Sequence, residues 1–156
     1  MPLTVQPVTP RDVAHLHKWK WPNPPDAIYA LWHQTRFVSV VHLFDLEVVP
    51  LGGGSPFPVC GMGGIATEPL ERGKGRAELL LSRVMTEHTQ VPDGVEGFLL
   101  NGRAEAGLWS RLGFQDVGES LTAPPQRLWW AGCKRFLERP EAELPGQFRI
   151  EPGDHW

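Results

Sequence analysis

The sequence predicts an α/β or α+β fold with a mixed sheet, and three observations carry that expectation. Residues 37–44 are rich in β-branched and aromatic side chains and 46–49 alternate after them, the patterns of strand. From residue 75 the apolar period becomes helical, with Ala77, Leu80, Leu81, Val84, Met85 and His88 on one stripe. A short apolar stretch at 96–101 returns to strand, so residues 57–101 read as a βαβ-type crossover.

The 156 residues, 41% of them apolar, suit a single domain over 1–156 with one core. A net charge of -3 gives no basic footprint for nucleic acid. No apolar run approaches the roughly 20 residues that cross a bilayer, and the first residues lack the pattern of a signal peptide, so a soluble, cytoplasmic protein is expected. Cys60 and Cys133 form no Cys-x-x-Cys pair, and a His15-x-His17 pair would point to different faces of a helix, so no metal site is expected. Seven Trp and sixteen Pro concentrate towards the ends, which are expected to be irregular and stapled by aromatic packing.

Taken in order, residues 3–8 alternate as a first strand, and Thr9-Pro10-Arg11-Asp12 has the form of a helix start, predicting a helix over 10–19. Pro22 to Pro25 end it. Ile28, Leu31 and Trp32 share a helical face, predicting a short helix over 26–34. Strands follow over 37–49 and, after a glycine-rich turn at 52–56, over 57–67. Gly61, Gly63 and Gly64 weaken that last strand unless a ligand or backbone approaches it closely. The helix from 75 ends near Gln90, before a Pro-Asp-Gly turn. Strand over 96–101, helix over 104–111 closed by Gly113, and strand over 114–121 complete the pattern.

Between the glycine-bearing strand and the leucine-rich helix lies Glu71-Arg72-Gly73-Lys74-Gly75-Arg76-Ala77. A helix start exposes unpaired N–H groups and a partial positive charge, so a small-residue loop there can wrap a pyrophosphate. Gly73 and Gly75 permit close approach, and Arg72, Lys74 and Arg76 add cations suited to phosphate oxygens. Arg72-x-x-Gly75-x-Ala77 resembles the Q/R-x-x-G-x-G/A signature of GNAT acetyltransferases, and Leu108-Trp109-Ser110-Arg111-Leu112-Gly113-Phe114 resembles their late helix ending in Leu-Gly-Phe. The stretch 46–81 is similar to the enhanced intracellular survival branch, which acetylates amines, including aminoglycosides. Those proteins continue into a second GNAT-like domain and a carrier-protein-like domain, whereas this chain ends at Trp156.

The resemblance implies a mixed, mostly antiparallel central sheet flanked by helices, and acetyl-CoA as co-substrate. It places Met62, Gly64, Ile65, Thr67, Arg72, Gly73, Lys74, Gly75, Arg76, Ala77 and Asn101 against the coenzyme. A backbone N–H of Gly64 or Ile65 would polarise the thioester carbonyl. Asn101 reads equally as a turn residue before Gly102.

Trp109 stands where many GNAT proteins carry a Tyr near the coenzyme sulfur; an indole N–H donates a hydrogen bond but does not titrate usefully. Glu68 and His42 are candidate bases, His42 having a core-residue reading beside it, with Asp45, Glu47 and a water chain as alternatives. The implied function is acetyl transfer to a small-molecule amine by direct attack; a covalent route through Cys60 lacks a neighbour to lower its pKa. A non-catalytic acyl-CoA-binding module and an acetyltransferase of protein amines are the rival readings. A homodimer is a family-level option.

Overall fold

The computed structural model describes residues 3–16, 24–89, 95–101, 107–119, 127–132 and 148–151. The strands are β1 (Leu3–Pro7), β2 (Ala27–His33), β3 (Arg36–Pro50), β4 (Phe57–Thr67), β5 (Gly97–Asn101), β6 (Gln115–Glu119), β7 (Arg127–Gly132) and β8 (Phe148–Glu151). Helix α1 (Arg76–Thr89) follows β4 through a short 3-10 helix, Pro69–Glu71, and helix α2 (Leu108–Arg111) precedes β6. The strands join in one sheet in the order β1-β2-β3-β4-β5-β7-β6, with β8 continuing along the β2 edge of β3. Every pairing is antiparallel except β4 with β5, which α1 connects. The mixed, mostly antiparallel sheet is as expected.

Successive side chains of a strand face opposite ways, and here both faces are covered. Leu80, Leu81 and Val84 of α1 pack on Leu31, Val41, Leu43, Met62, Phe98 and Leu100. Of the stripe read from the sequence, Leu80, Leu81 and Val84 are buried, each such side chain contributing about 1.5–3 kcal/mol, while Ala77 and Met85 are partly buried. Phe44, Leu46, Val48, Phe57, Val59, Leu99, Trp130 and Ile150 form a second cluster on the other side. Val13 of the segment before β2 closes a third cluster with Ile28 and Val40.

Two expected helices are corrected. Residues 27–33 form β2, not a helix. Tyr29 and Leu31 pack against the α1-side cluster while Ile28 lies in the third, so both faces are buried and the period-2 signal is lost. The start over 10–19 keeps its cap: Thr9 N donates to Asp12 Oδ2 (2.9 Å) and Asp12 N to Thr9 Oγ1 (3.3 Å). Residues 10–16 nevertheless make turns, with Leu16 N donating to Val13 O three residues back, and 17–19 lie outside the described residues. Within the C-terminal end expected to be irregular, the described residues 127–132 and 148–151 form the paired strands β7 and β8; residues 17–23, 120–126, 133–147 and 152–156 lie outside the described residues.

Candidate functional site

The two parallel strands part company early. β4 pairs with β5 only over Cys60–Met62 against Phe98–Leu100, yet β4 runs on to Thr67. On its other side β4 bulges: Val40 faces Ala66 and His42 faces Gly63, leaving Gly64 and Ile65 together opposite Val41. Gly64 takes φ 54, a left-handed conformation that glycine adopts freely. A bulge bends its strand, and this one lies just beyond the last β4–β5 pair. The result is a cleft of about 650 Å³. Its β4 wall is Met62 to Thr67, and its opposite wall is Leu100, Asn101, Leu108 and Trp109. Arg72 and Ala77 close one end and continue into a second hollow of about 220 Å³ lined by Glu71, Gly73, Gly75, Arg76, Glu78 and Arg111.

That hollow is the loop at the start of α1. Gly73 (φ 79) and Gly75 (φ 72) hold left-handed conformations, and a Cβ on either would meet no heavy atom within 4 Å. The first intrahelical bond runs from Leu79 N to Gly75 O, so the N–H groups of Arg76, Ala77 and Glu78 have no partner within the helix. Glu71 organises the cations. It is 6% exposed, with Arg76 Nε at 3.2 Å, Lys74 Nζ at 3.6 Å and Arg36 from the β2–β3 hairpin at 3.5 Å. The Arg76 hydrogen bond, with Lys74 assisting, holds the Glu71 carboxyl below its ordinary range. Arg72 donates Nε to Thr67 O (3.1 Å), tying the loop back to β4. Arg111 on α2 pairs with Glu78 on α1 at 2.9 Å across the hollow.

The expected coenzyme contacts therefore come together, except that Lys74 lines neither hollow and turns to Glu71. The catalytic candidates are dispersed. Trp109 lines the cleft, 7% exposed and edge-on to Phe114. Glu68 does not line it; its carboxylate lies 3.7 Å from His15 Nε2, where the His15 ring meets Phe37. His42 is 1% exposed in the sheet, its Nδ1 3.0 Å from Gly64 O, and it is not among the residues lining the cleft. Burial, with the charge of Asp45 adding, pushes the Cys60 thiol up to about 12.

The sequence reading gave no role to Glu71 or to its partner Arg36, and missed Glu78 and Arg111 as parts of the hollow. Glu71 had a local signal, an acid three residues before Lys74 and five before Arg76; Arg36 and Arg111 are brought in only by the hairpin and by α2. Among the described residues, no three His, Cys, Asp or Glu side chains gather as metal ligands, and no helix is long and apolar enough to cross a membrane.

Strands that splay at a bulge, beside a glycine-lined helix start ringed with cations, define a site for a long ligand with an anionic end. Residues 4–115 match the acetyltransferase (GNAT) domain model, and the chain belongs to that family. No curated protein matches it. The fold is similar to a GCN5-related N-acetyltransferase from Kribbella flavida, at 22% identity over 59% of this chain and 23% of that one, TM-score 0.52. It is also similar to Arabidopsis thaliana NAA60 in complex with a bisubstrate analogue (14% identity, 84% of this chain, 99% of that one, TM-score 0.60). Eis1 from Mycobacterium abscessus shares 18% identity over 76% of this chain and 33% of its own, TM-score 0.58. The chain thus spans about a quarter of the Kribbella protein and a third of Eis1.

Proposed function

We propose that residues 1–156 act as one acetyltransferase domain that binds acetyl-CoA in the β4–β5 cleft and transfers the acetyl group to a small-molecule amine by direct attack. The observation that carries the reading is the β4–β5 ladder that stops after three pairs and opens, past the Gly64 bulge, into the glycine loop of α1. The residues fit the co-substrate. Left-handed Gly73 and Gly75 leave the helix N-terminus open to a pyrophosphate, while the β4 backbone from Met62 to Thr67 offers amide partners to an extended pantetheine arm.

Acetyl-CoA supplies an acyl group already activated as a thioester. The chain holds it, aims a bulge N–H at the carbonyl oxygen where charge develops, and excludes water with Leu100, Leu108 and Trp109. The amine attacks the carbonyl carbon and the carbon–sulfur bond breaks; the amine proton passes to water, directly or on to Glu68, and the departing coenzyme A thiolate takes a proton from water. The high Cys60 pKa supports direct attack over an acetyl-cysteine route.

The experiment is a thermal shift with acetyl-CoA followed by a thiol-release assay over small amines and peptide N-termini or lysines. Stabilisation with release on small amines is the expected result. Release only on peptides would move the acceptor to protein amines, and stabilisation without release on any amine would leave a binding module.

A further inference from the structure

The peptide unit between Gly64 and Ile65 sits where the ladder between β3 and β4 slips register, two residues of β4 standing opposite Val41, so regular ladder geometry does not by itself fix its orientation. A side chain supplies that constraint. His42 projects from β3, buried, with Nδ1 3.0 Å from the Gly64 carbonyl oxygen. A carbonyl only accepts, so in this contact Nδ1 carries the proton. The trans planar peptide then sets the consequence: with the Gly64 carbonyl turned towards the His42 ring, the Ile65 N–H points the opposite way, away from that ring. Gly64 and Ile65 both line the cleft, whereas His42 is not among its lining residues. Gly64, at φ 54, has the backbone freedom to let this peptide rotate if nothing holds it.

We infer that His42 is a positioning residue: by fixing the Gly64 carbonyl it aims the Ile65 N–H at the thioester carbonyl in the cleft. The inference rests on the acetyl-transfer reading, and it gives the buried histidine a role other than proton abstraction. A hydrogen bond at the carbonyl end also polarises the peptide, which strengthens its N–H as a donor. The effect falls on the reacting carbonyl, not on the pyrophosphate loop, so coenzyme affinity and catalysis should separate.

The test compares wild type, His42→Phe, which fills the ring volume without a donor, and His42→Asn, which restores one. Isotope-edited infrared spectra of bound [1-13C]acetyl-CoA report carbonyl polarisation without any acceptor. Expected is a stretch lowered on binding to wild type, relaxed towards the free value in His42→Phe and regained in His42→Asn. Acetyl-CoA Kd should stay within about threefold, while turnover on the best amine falls about tenfold or more in His42→Phe.

Two wild-type measurements stand even if His42→Phe does not fold: the lowered carbonyl stretch itself, and 15N chemical shifts showing His42 protonated at Nδ1. A full carbonyl shift in folded His42→Phe, no shift in wild type that binds acetyl-CoA, or an unprotonated Nδ1 would each overturn the role of His42 while leaving the binding reading standing. Absence of acetyl-CoA binding by wild type would overturn both.

Discussion

Glu71 places a negative charge beneath a loop that is otherwise set up for anions. Its carboxylate holds Arg76, Lys74 and Arg36 at 3.2–3.6 Å, so three cations that would repel one another in the free protein are kept together. Because its folded pKa is depressed, its contribution is present above the ordinary carboxyl value of 4.5 and is lost as pH falls through the folded value. Glu71→Gln should therefore lower Tm at pH 7, and the gap to wild type should close as pH falls below the ordinary carboxyl value and through the lower folded one. A gap of constant size across that range would remove the electrostatic role. Cys60 makes a second residue-scale case: with a pKa of about 12, roughly 1 in 10,000 thiols is ionised at pH 8. Cys60→Ala should keep at least half of wild-type turnover, roughly, with a core cost of about 1 kcal/mol; loss of turnover with acetyl-CoA binding retained would favour the acetyl-cysteine route.

Among the elements, β5 is held close against β7. A Cβ on Gly97 would collide with the Trp130 ring and lie 2.6 Å from Ala131 O on β7, whereas a Cβ on Gly52 in the β3–β4 turn would meet nothing. Gly97→Ala should cost about 1–3 kcal/mol and roughly 3 to 10 °C in Tm, since Trp130 is also packed on Phe57 and the Ala131 carbonyl is backbone. Gly52→Ala should stay within about 0.5 kcal/mol of wild type, and equal melting of the two variants would show that β5 and β7 can part. The sequence made β4 and α1 legible because their patterns are local: glycines in a strand, then leucines at helical spacing. It hid β2, whose side chains are buried on both faces, and β7, where Trp129 and Trp130 follow prolines that suggest an irregular segment. The glycine loop was legible for the same local reason. The setting of His42 was not, because its contact with Gly64 O spans 22 residues and depends on a register slip that no single strand records.

At the scale of the molecule, the charge pattern opposes the net charge. The chain carries -3 overall, yet Arg72, Arg76 and Arg111 line the hollow with Glu71 and Glu78, and Lys74 and Arg36 also pair with Glu71, so the five cations of this group outnumber its two carboxylates. An anionic ligand is drawn to that excess over about 8–10 Å at physiological salt and over about 3 Å at 1 M, so salt should act mainly through the loop and hardly through the apolar cleft. Saturating the native state at about one hundred times Kd stabilises it by about 2.7 kcal/mol, roughly 5 to 10 °C for a chain of this size. The expected outcome is a Tm rise of that order with acetyl-CoA in 50 mM salt that shrinks markedly in 500 mM, and a Gly75→Val variant that loses the rise. That substitution forces a β-branched residue into φ 72, costing about 1–3 kcal/mol, and places its methyl groups in the open hollow. The two measurements separate the contributions: a salt-insensitive shift would mean that the cations are spectators, whereas a full shift in Gly75→Val would mean that the diphosphate binds elsewhere.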